Sequence, residues 1–401
     1  MLFLQLAGWS AIIAMATTSA FVLTTPPPAN LTPVVPVMRV APAPAPEVAH
    51  TRTPKEVRGL YMTSFTAASP SGRKGIFEYA KRNGLNAVVI DIKDFGGALA
   101  FAPNDPHLKG LAPAQPTIPN LDAVLDEAHT YGLYRIARLF VFQDPQYANA
   151  HPDQAVLNSK TGKVWADFKG ISWVDPSSTA NWKYNAEVAK EVYARGFDEI
   201  QLDYIRFPSD GALTQMSYAK YDGKTPKQKV IGDFYRYMHD QLVVKEGIPL
   251  SLDLFGYVTW YRDFDLGIGQ LLANGLPNAT AISAMVYPSH YGKGAAGFAN
   301  PAEHPYDIVN VSLAKANTFY ADIKTACDAG KPEYLVSGSG TAKIAVPCGQ
   351  PLAGQRPWLQ AFDIGAVYTK DLINAQIKAA QDQGATGWLL WNARNVYRDI
   401  K

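Results

Sequence analysis

Asp203 stands inside a short apolar run, Asp198-Glu-Ile-Gln-Leu-Asp-Tyr-Ile-Arg-Phe-Pro208. Ile200 and Leu202 precede it, Ile205 follows, and Pro208 stops any further strand pairing. A carboxylate at the end of a buried strand is costly unless it is paired, hydrogen-bonded or opens into a cleft. Arg206 is a candidate partner, in which case the pair merely ties strand to loop. A second carboxylate, Asp253, closes another apolar run, Leu250-Ser-Leu-Asp253. Two carboxyls of this kind suit the hydrolysis of a glycosidic bond, which needs one nucleophile or base and one acid with a raised pKa.

Other apolar runs end in polar residues as well. Asp91, Lys93 and Asp94 follow Val88-Val-Ile90, and Arg138 closes Tyr134-Arg-Ile-Ala-Arg138. Tyr287 and His290 follow Ala281-Ile-Ser-Ala-Met-Val286, Gln360 and Asp363 lie at the end of Pro357–Phe362, and Trp391 and Asn392 close Gly387–Asn392. Arg138 has an alternative role as an internal partner of Asp91 or Asp203. Lys93 has one as an internal ion pair. Amides, arginines and aromatic rings between carboxylates suit a sugar-binding rim. Of the seven histidines only His290 falls at such an end, so a histidine-rich metal site is not expected, nor is a cofactor.

The elements that must position these residues repeat one grammar. A helical stretch ends in Gly and an unbroken apolar strand follows, as at Gly84 before Ala87–Asp91 and Gly384 before Gly387–Trp391. Eight such strands are expected near 57–62, 87–91, 134–138, 198–203, 250–253, 281–286, 357–362 and 387–391. Helices are expected near 71–83, 119–131, 179–195, 225–246, 262–274, 311–329 and 370–383. This alternation predicts an α/β fold of the (β/α)8 TIM-barrel type, with chemistry at the C-terminal strand ends. A doubly wound open sheet is the runner-up, but no strand leads into a Gly-rich phosphate loop.

Composition bounds the function. The chain has 401 residues, and 37 basic against 35 acidic side chains give a net charge of +2, which offers no nucleic-acid surface. The 21 Tyr and 8 Trp can fill a core or stack on sugars. Residues 1–25 read as a signal peptide or a membrane anchor, apolar over 2–23 and with no charged side chain before Arg39. Residues 26–56 read as a linker, with eight prolines over 26–46. The globular domain is expected over 57–401, exported or tethered through residues 1–23, with a carbohydrate as its partner. Cys327 and Cys348 could form one disulfide in an oxidising compartment.

The run Leu202-Asp-Tyr-Ile-Arg-Phe-Pro208 resembles the strand-4 signature of the glycosidase-like domain family DUF4015. Val57–Met62, Val89–Asp94, Asp253–Tyr257, Met285–Tyr291, Arg356–Phe362 and Gly387–Asn392 extend the resemblance over about 57–397. The resemblance implies a barrel glycosidase. Carried over by position, Asp203 would be the nucleophile and Asp253 the general acid of a retaining mechanism. The strand-5 acid of amylase-like barrels is commonly Glu, so Asp253 is one methylene short, and Asp363 or Asp91 could take that role instead. The second reading is a non-catalytic carbohydrate-binding barrel with an aromatic cleft. A third is a barrel hydrolase acting on a non-sugar bond. The loops at 288–310 and 331–356 are expected to shape the cleft.

Overall fold

The computed structural model describes residues 48–331, 333–338, 340–345 and 348–401. The apolar segment and most of the Pro-rich stretch expected before them lie outside the described residues. Eight parallel strands close into a barrel: β1 Val57–Met62, β2 Ala87–Lys93, β3 Tyr134–Phe140, β4 Glu199–Asp203, β5 Leu250–Phe255, β6 Ala281–Met285, β7 Trp358–Gln360 and β8 Gly387–Trp391. Each pairs with its sequence neighbour, and β8 returns to β1 through Val57↔Gly387 and Leu60↔Leu390. The TIM-barrel expectation holds.

Helices pack around the strands where the periodicity placed them, at Pro70–Asn83, Leu121–Thr130, Thr179–Ala194, Lys227–His239, Pro305–Asp328 and Lys370–Asp382. Ser178 caps one of them, its Oγ accepting from Asn181 N at 3.1 Å. Gly84, in the left-handed region at φ 69°, ends another. The helix expected at 262–274 is only a turn, Leu272–Gly275. Leu266, Gly267 and Gly269 all take positive φ there, and Asp265 Oδ1 accepts from Gly267 N at 2.9 Å, so the chain turns instead of winding.

Alternation along the strands fills the barrel with layers of inward side chains. The lowest polar layer is an ion pair between Glu199 and Arg356, to which Tyr134 Oη and Ser251 Oγ also donate. Above it Gln201 Nε2 donates to Ser283 Oγ at 3.1 Å. The top layer holds Asp91, Arg138, Asp203 and Asp253. The interior is therefore a polar column walled by Val89, Ile136, Trp358 and Leu389. Each of these polar side chains makes at least one hydrogen bond or ion pair within the column, although Arg138 Nε, Gln201 Oε1, Asp253 Oδ2 and Arg356 Nε have no hydrogen-bond partner among the described residues.

Residues 48–56, expected to end the linker, lie against the start of the strands. Arg135 Nη2 donates to Ala49 O at 2.9 Å, and Thr51 N donates to Asp198 Oδ1 at 2.6 Å. The compact unit runs from Val48 to Lys401. Cys327 and Cys348 are joined in a disulfide, with Cα atoms 5.5 Å apart. It brackets an antiparallel hairpin, Glu333–Gly338 with Gly340–Ala345. That excursion leads from a helix into β7, so it belongs to the end of the barrel opposite the site and does not shape the cleft as expected. No helix among the described residues is long and apolar enough to cross a membrane.

Candidate active site

The loops after β3 and β4 build one wall at the C-terminal end of the barrel. They clasp through a short antiparallel pair, Val156–Asn158 with Met216–Tyr218. Between this wall and the loops after β5 and β6 opens a cleft of about 610 Å³. Its floor is Arg138, Asp203, Trp358 and Trp391, and Tyr204, Tyr257, Tyr287, Tyr291 and Phe255 give it an aromatic lining.

Arg138 organises the floor. Its Nη1 donates to Asp91 Oδ1 at 2.7 Å, its Nη2 donates to Asp203 Oδ2, and its Nε stands 3.4 Å from Asp253 Oδ2. Register explains the convergence, since Asp91 is the cross-strand partner of Arg138 and Asp203 ends the next strand. Burial opposes the guanidinium's charge, but Asp203 and Asp91 outweigh it and hold the arginine protonated. Trp391 and Phe140 cover its faces, with ring centroids 5.0 and 4.5 Å from Cζ.

Asp203 reaches the cleft with both oxygens held. Oδ2 accepts from Arg138, and Oδ1 accepts from Tyr204 N at 2.6 Å. Tyr204 takes φ 54°, a strained conformation for a residue with a side chain, and stacks on Phe140 at 4.2 Å. That kink turns the chain away at the end of β4. It carries Arg206 to Phe207 O at 3.1 Å and Ser209 Oγ at 3.0 Å. The partner of Asp203 is therefore Arg138 and not Arg206, although Arg206 does line the cleft.

Asp253 stands beside Arg138 in the same layer with its side chain wholly buried. Trp358 Nε1 donates to its Oδ1 at 2.8 Å, while Oδ2 has no hydrogen-bond partner among the described residues. Burial, and then the charge of Asp203, push its pKa well above the ordinary carboxylate range, against the opposing pull of Arg138, and so favour its protonated form. It is absent from the cleft lining. Asp91 is likewise buried, donor-bound by Arg138 and Tyr61, and absent from the lining.

Tyr287, His290 and Trp391 line the cleft. Burial pushes the His290 imidazole below its usual pKa, which leaves it neutral at neutral pH. The other expected contacts are turned elsewhere. The register slips between Asp91 and Lys93, and Lys93 points away from the barrel axis to Asp144 and Asn185, both at 2.8 Å. Asp94 closes its own turn, accepting from Gly96 N at 2.9 Å. Gln360 is fully buried, accepting from Ser289 N and donating to Phe362 O at 3.0 Å. Asn392 donates to Ala361 O and Val396 O. Asp363 pairs with Arg398, which holds its carboxyl at about 2. All five are engaged in contacts within the protein and none lines the cleft.

Sequence reasoning missed Asp167, Lys169 and Asp210 on the wall, and Tyr257 and Tyr291 opposite. Asp167 sits in a turn whose Asp-Phe-Lys-Gly composition signals only a loop. Its Oδ1 accepts from Lys169 N and Ile171 N, and its Oδ2 from Gln143 Nε2 and Trp173 Nε1. Ser209-Asp210-Gly211 likewise reads as a turn and nothing more.

The fold of this chain is similar to the PgaB (BpsB) glycoside hydrolase domain from Bordetella bronchiseptica, at 12% identity and TM-score 0.55 over 85% of this chain and 95% of that one. It is also similar to a hypothetical protein from Ruminiclostridium thermocellum ATCC 27405, at 35% identity and TM-score 0.43 over 48% of this chain and 96% of that one. The glycoside hydrolase domain of PelA from Pseudomonas aeruginosa matches at 11% identity and TM-score 0.43, over 86% of this chain and 97% of that one. Among curated proteins nothing matches the chain. The family described as "Putative glycosyl hydrolase domain" matches residues 59–397, and the chain belongs to this glycoside hydrolase family, DUF4015.

Proposed function

We propose that the protein hydrolyses an O-glycosidic bond of an envelope or extracellular polysaccharide by a retaining two-carboxylate mechanism, with Asp203 as the nucleophile. The observation that carries this reading is the setting of Asp203. It reaches an aromatic-lined cleft, with both oxygens oriented by fixed N–H donors. The neighbouring carboxyl of Asp253 is buried, and burial together with the charge of Asp203 favours its neutral form. An oriented anion at that point stabilises the positive charge that develops on the anomeric carbon. Trp391 and Tyr287 offer ring faces and edges to a sugar, while Gln143, His290 and Lys169 supply polar contacts for its hydroxyls.

Family membership supports the reaction class, and the apolar start of the chain followed by a Pro-rich stretch supports export. A purely binding barrel would be favoured by a cleft with a single reachable carboxylate. Asp203, Asp167 and Asp210 all line this one. The test is release of reducing ends from a panel of bacterial envelope polysaccharides by the full chain, beside Asp203→Asn. Release by the wild type and loss in a variant with an unchanged circular dichroism spectrum supports the reading. Binding without release by either protein moves it to the binding barrel.

A further inference from the structure

A general acid must lie within hydrogen-bond reach of the glycosidic oxygen and must not already spend its oxygens on other donors. Four carboxyls other than Asp203 surround the site. Asp91 and Asp253 are buried and absent from the cleft lining. Asp167 lines the cleft but accepts four N–H bonds, two on each oxygen. Asp210 lines the cleft, is exposed, and accepts no hydrogen bond from the described residues.

The Asp210 loop is held in place. Pro208 stiffens it, Arg206 Nη1 donates to Ser209 Oγ at 3.0 Å, and Phe207 N donates to Ile268 O at 2.9 Å. Gly211 takes φ 104°, and a Cβ there would come within 2.7 Å of the Trp165 ring and 3.0 Å of Asp167 Cα. The loop is therefore pressed against the wall with no room for a side chain at 211. Arg206 lines the cleft together with Asp203 and Asp210.

We propose that Asp210 is the general acid–base residue of this cleft, an assignment that rests on Asp203 as the nucleophile. In the first step the Asp203 carboxylate forms a bond to the anomeric carbon as the glycosidic C–O bond breaks. The released electron pair stays on the leaving oxygen, which takes the proton from Asp210. In the second step Asp210 removes a proton from water, the water oxygen bonds to the anomeric carbon, and the bond to Asp203 breaks. Both carboxyls return to their starting states.

The test is Asp210→Ala in the full chain, assayed on the polysaccharide the wild type cleaves and on a dinitrophenyl glycoside of the sugar it releases. The expected result is a loss of about 10²–10⁴-fold on the polysaccharide. The first step on the dinitrophenyl substrate, whose leaving group needs no proton, should be nearly unchanged. Added azide should speed turnover of this variant and give a glycosyl azide of retained configuration. Equal losses on both substrates, full activity on the polysaccharide, or no azide product would overturn the assignment while leaving Asp203 standing. A wild type that cleaves nothing overturns both readings.

Discussion

Replacing Asp253 by Asn separates a proton-holding support from a catalytic acid. The amide keeps an acceptor for Trp358 Nε1, now 2.8 Å from Asp253 Oδ1, and places a neutral group where burial favours the neutral carboxyl. In the wild type, burial and then Asp203 raise the folded-state pKa far above the unfolded value of about 3.9. Below the unfolded value both states hold the proton and Asp253 costs nothing. As pH rises above it, the unfolded chain ionises while the folded one does not. The wild type then loses about 1.4 kcal/mol of stability per pH unit relative to Asp253→Asn, until the folded-state pKa is reached. Above the unfolded value the variant should therefore gain on the wild type with each rise in pH until the folded-state pKa is reached, read from urea unfolding at a series of pH values. Its polysaccharide hydrolysis at neutral pH should stay within about tenfold, whereas loss of a general acid costs about 10²–10⁴-fold. Parallel stability lines, or a loss in the larger range, would refute a buried, protonated, non-contacting Asp253.

Other residues make shorter tests. Arg356→Met leaves Glu199 buried without its cation and should cost about 3–5 kcal/mol by urea unfolding, while the folded fraction keeps its activity because the pair lies below the cleft. Phe168, Tyr261 and Phe264 stand exposed on loops beside the cleft, so Phe168→Ala and Tyr261→Ala should raise KM for a polysaccharide and leave a short aryl glycoside unaffected. Equal effects on both substrates would place these rings outside the substrate's path. Cys348→Ser opens a loop spanning 21 residues and should lower stability by up to about 3 kcal/mol under oxidising conditions, with no difference once a reductant is added.

The barrel was legible because its strands are unbroken apolar runs set after helix-ending glycines, and both signals are local. The helix at 262–274 misled because apolar and charged residues alternate plausibly there. Asp265 and two glycines at positive φ turn the chain instead. Asp203 was legible as a lone charge in an apolar strand, but its partner was not. Arg206 is near in sequence, while Arg138 reaches Asp203 only because β3 and β4 lie side by side. Strand-end position alone also could not separate residues facing the cleft from Lys93 and Gln360, which a register slip and a neighbouring loop draw away. Asp167 and Asp210 belong to irregular loops whose path is set by packing against Trp165 and Gly211, and no period in the sequence announces them.

The most direct test of Asp203 as the nucleophile is to trap its covalent intermediate. The full chain would be incubated with a 2-deoxy-2-fluoro glycoside of the released sugar carrying a dinitrophenyl leaving group, and the peptides analysed by mass spectrometry. The account predicts one sugar bound to the Leu202–Phe207 peptide through Asp203, and none in Asp203→Asn. A sugar on any other carboxyl, or steady hydrolysis with inverted product and no adduct, would contradict it.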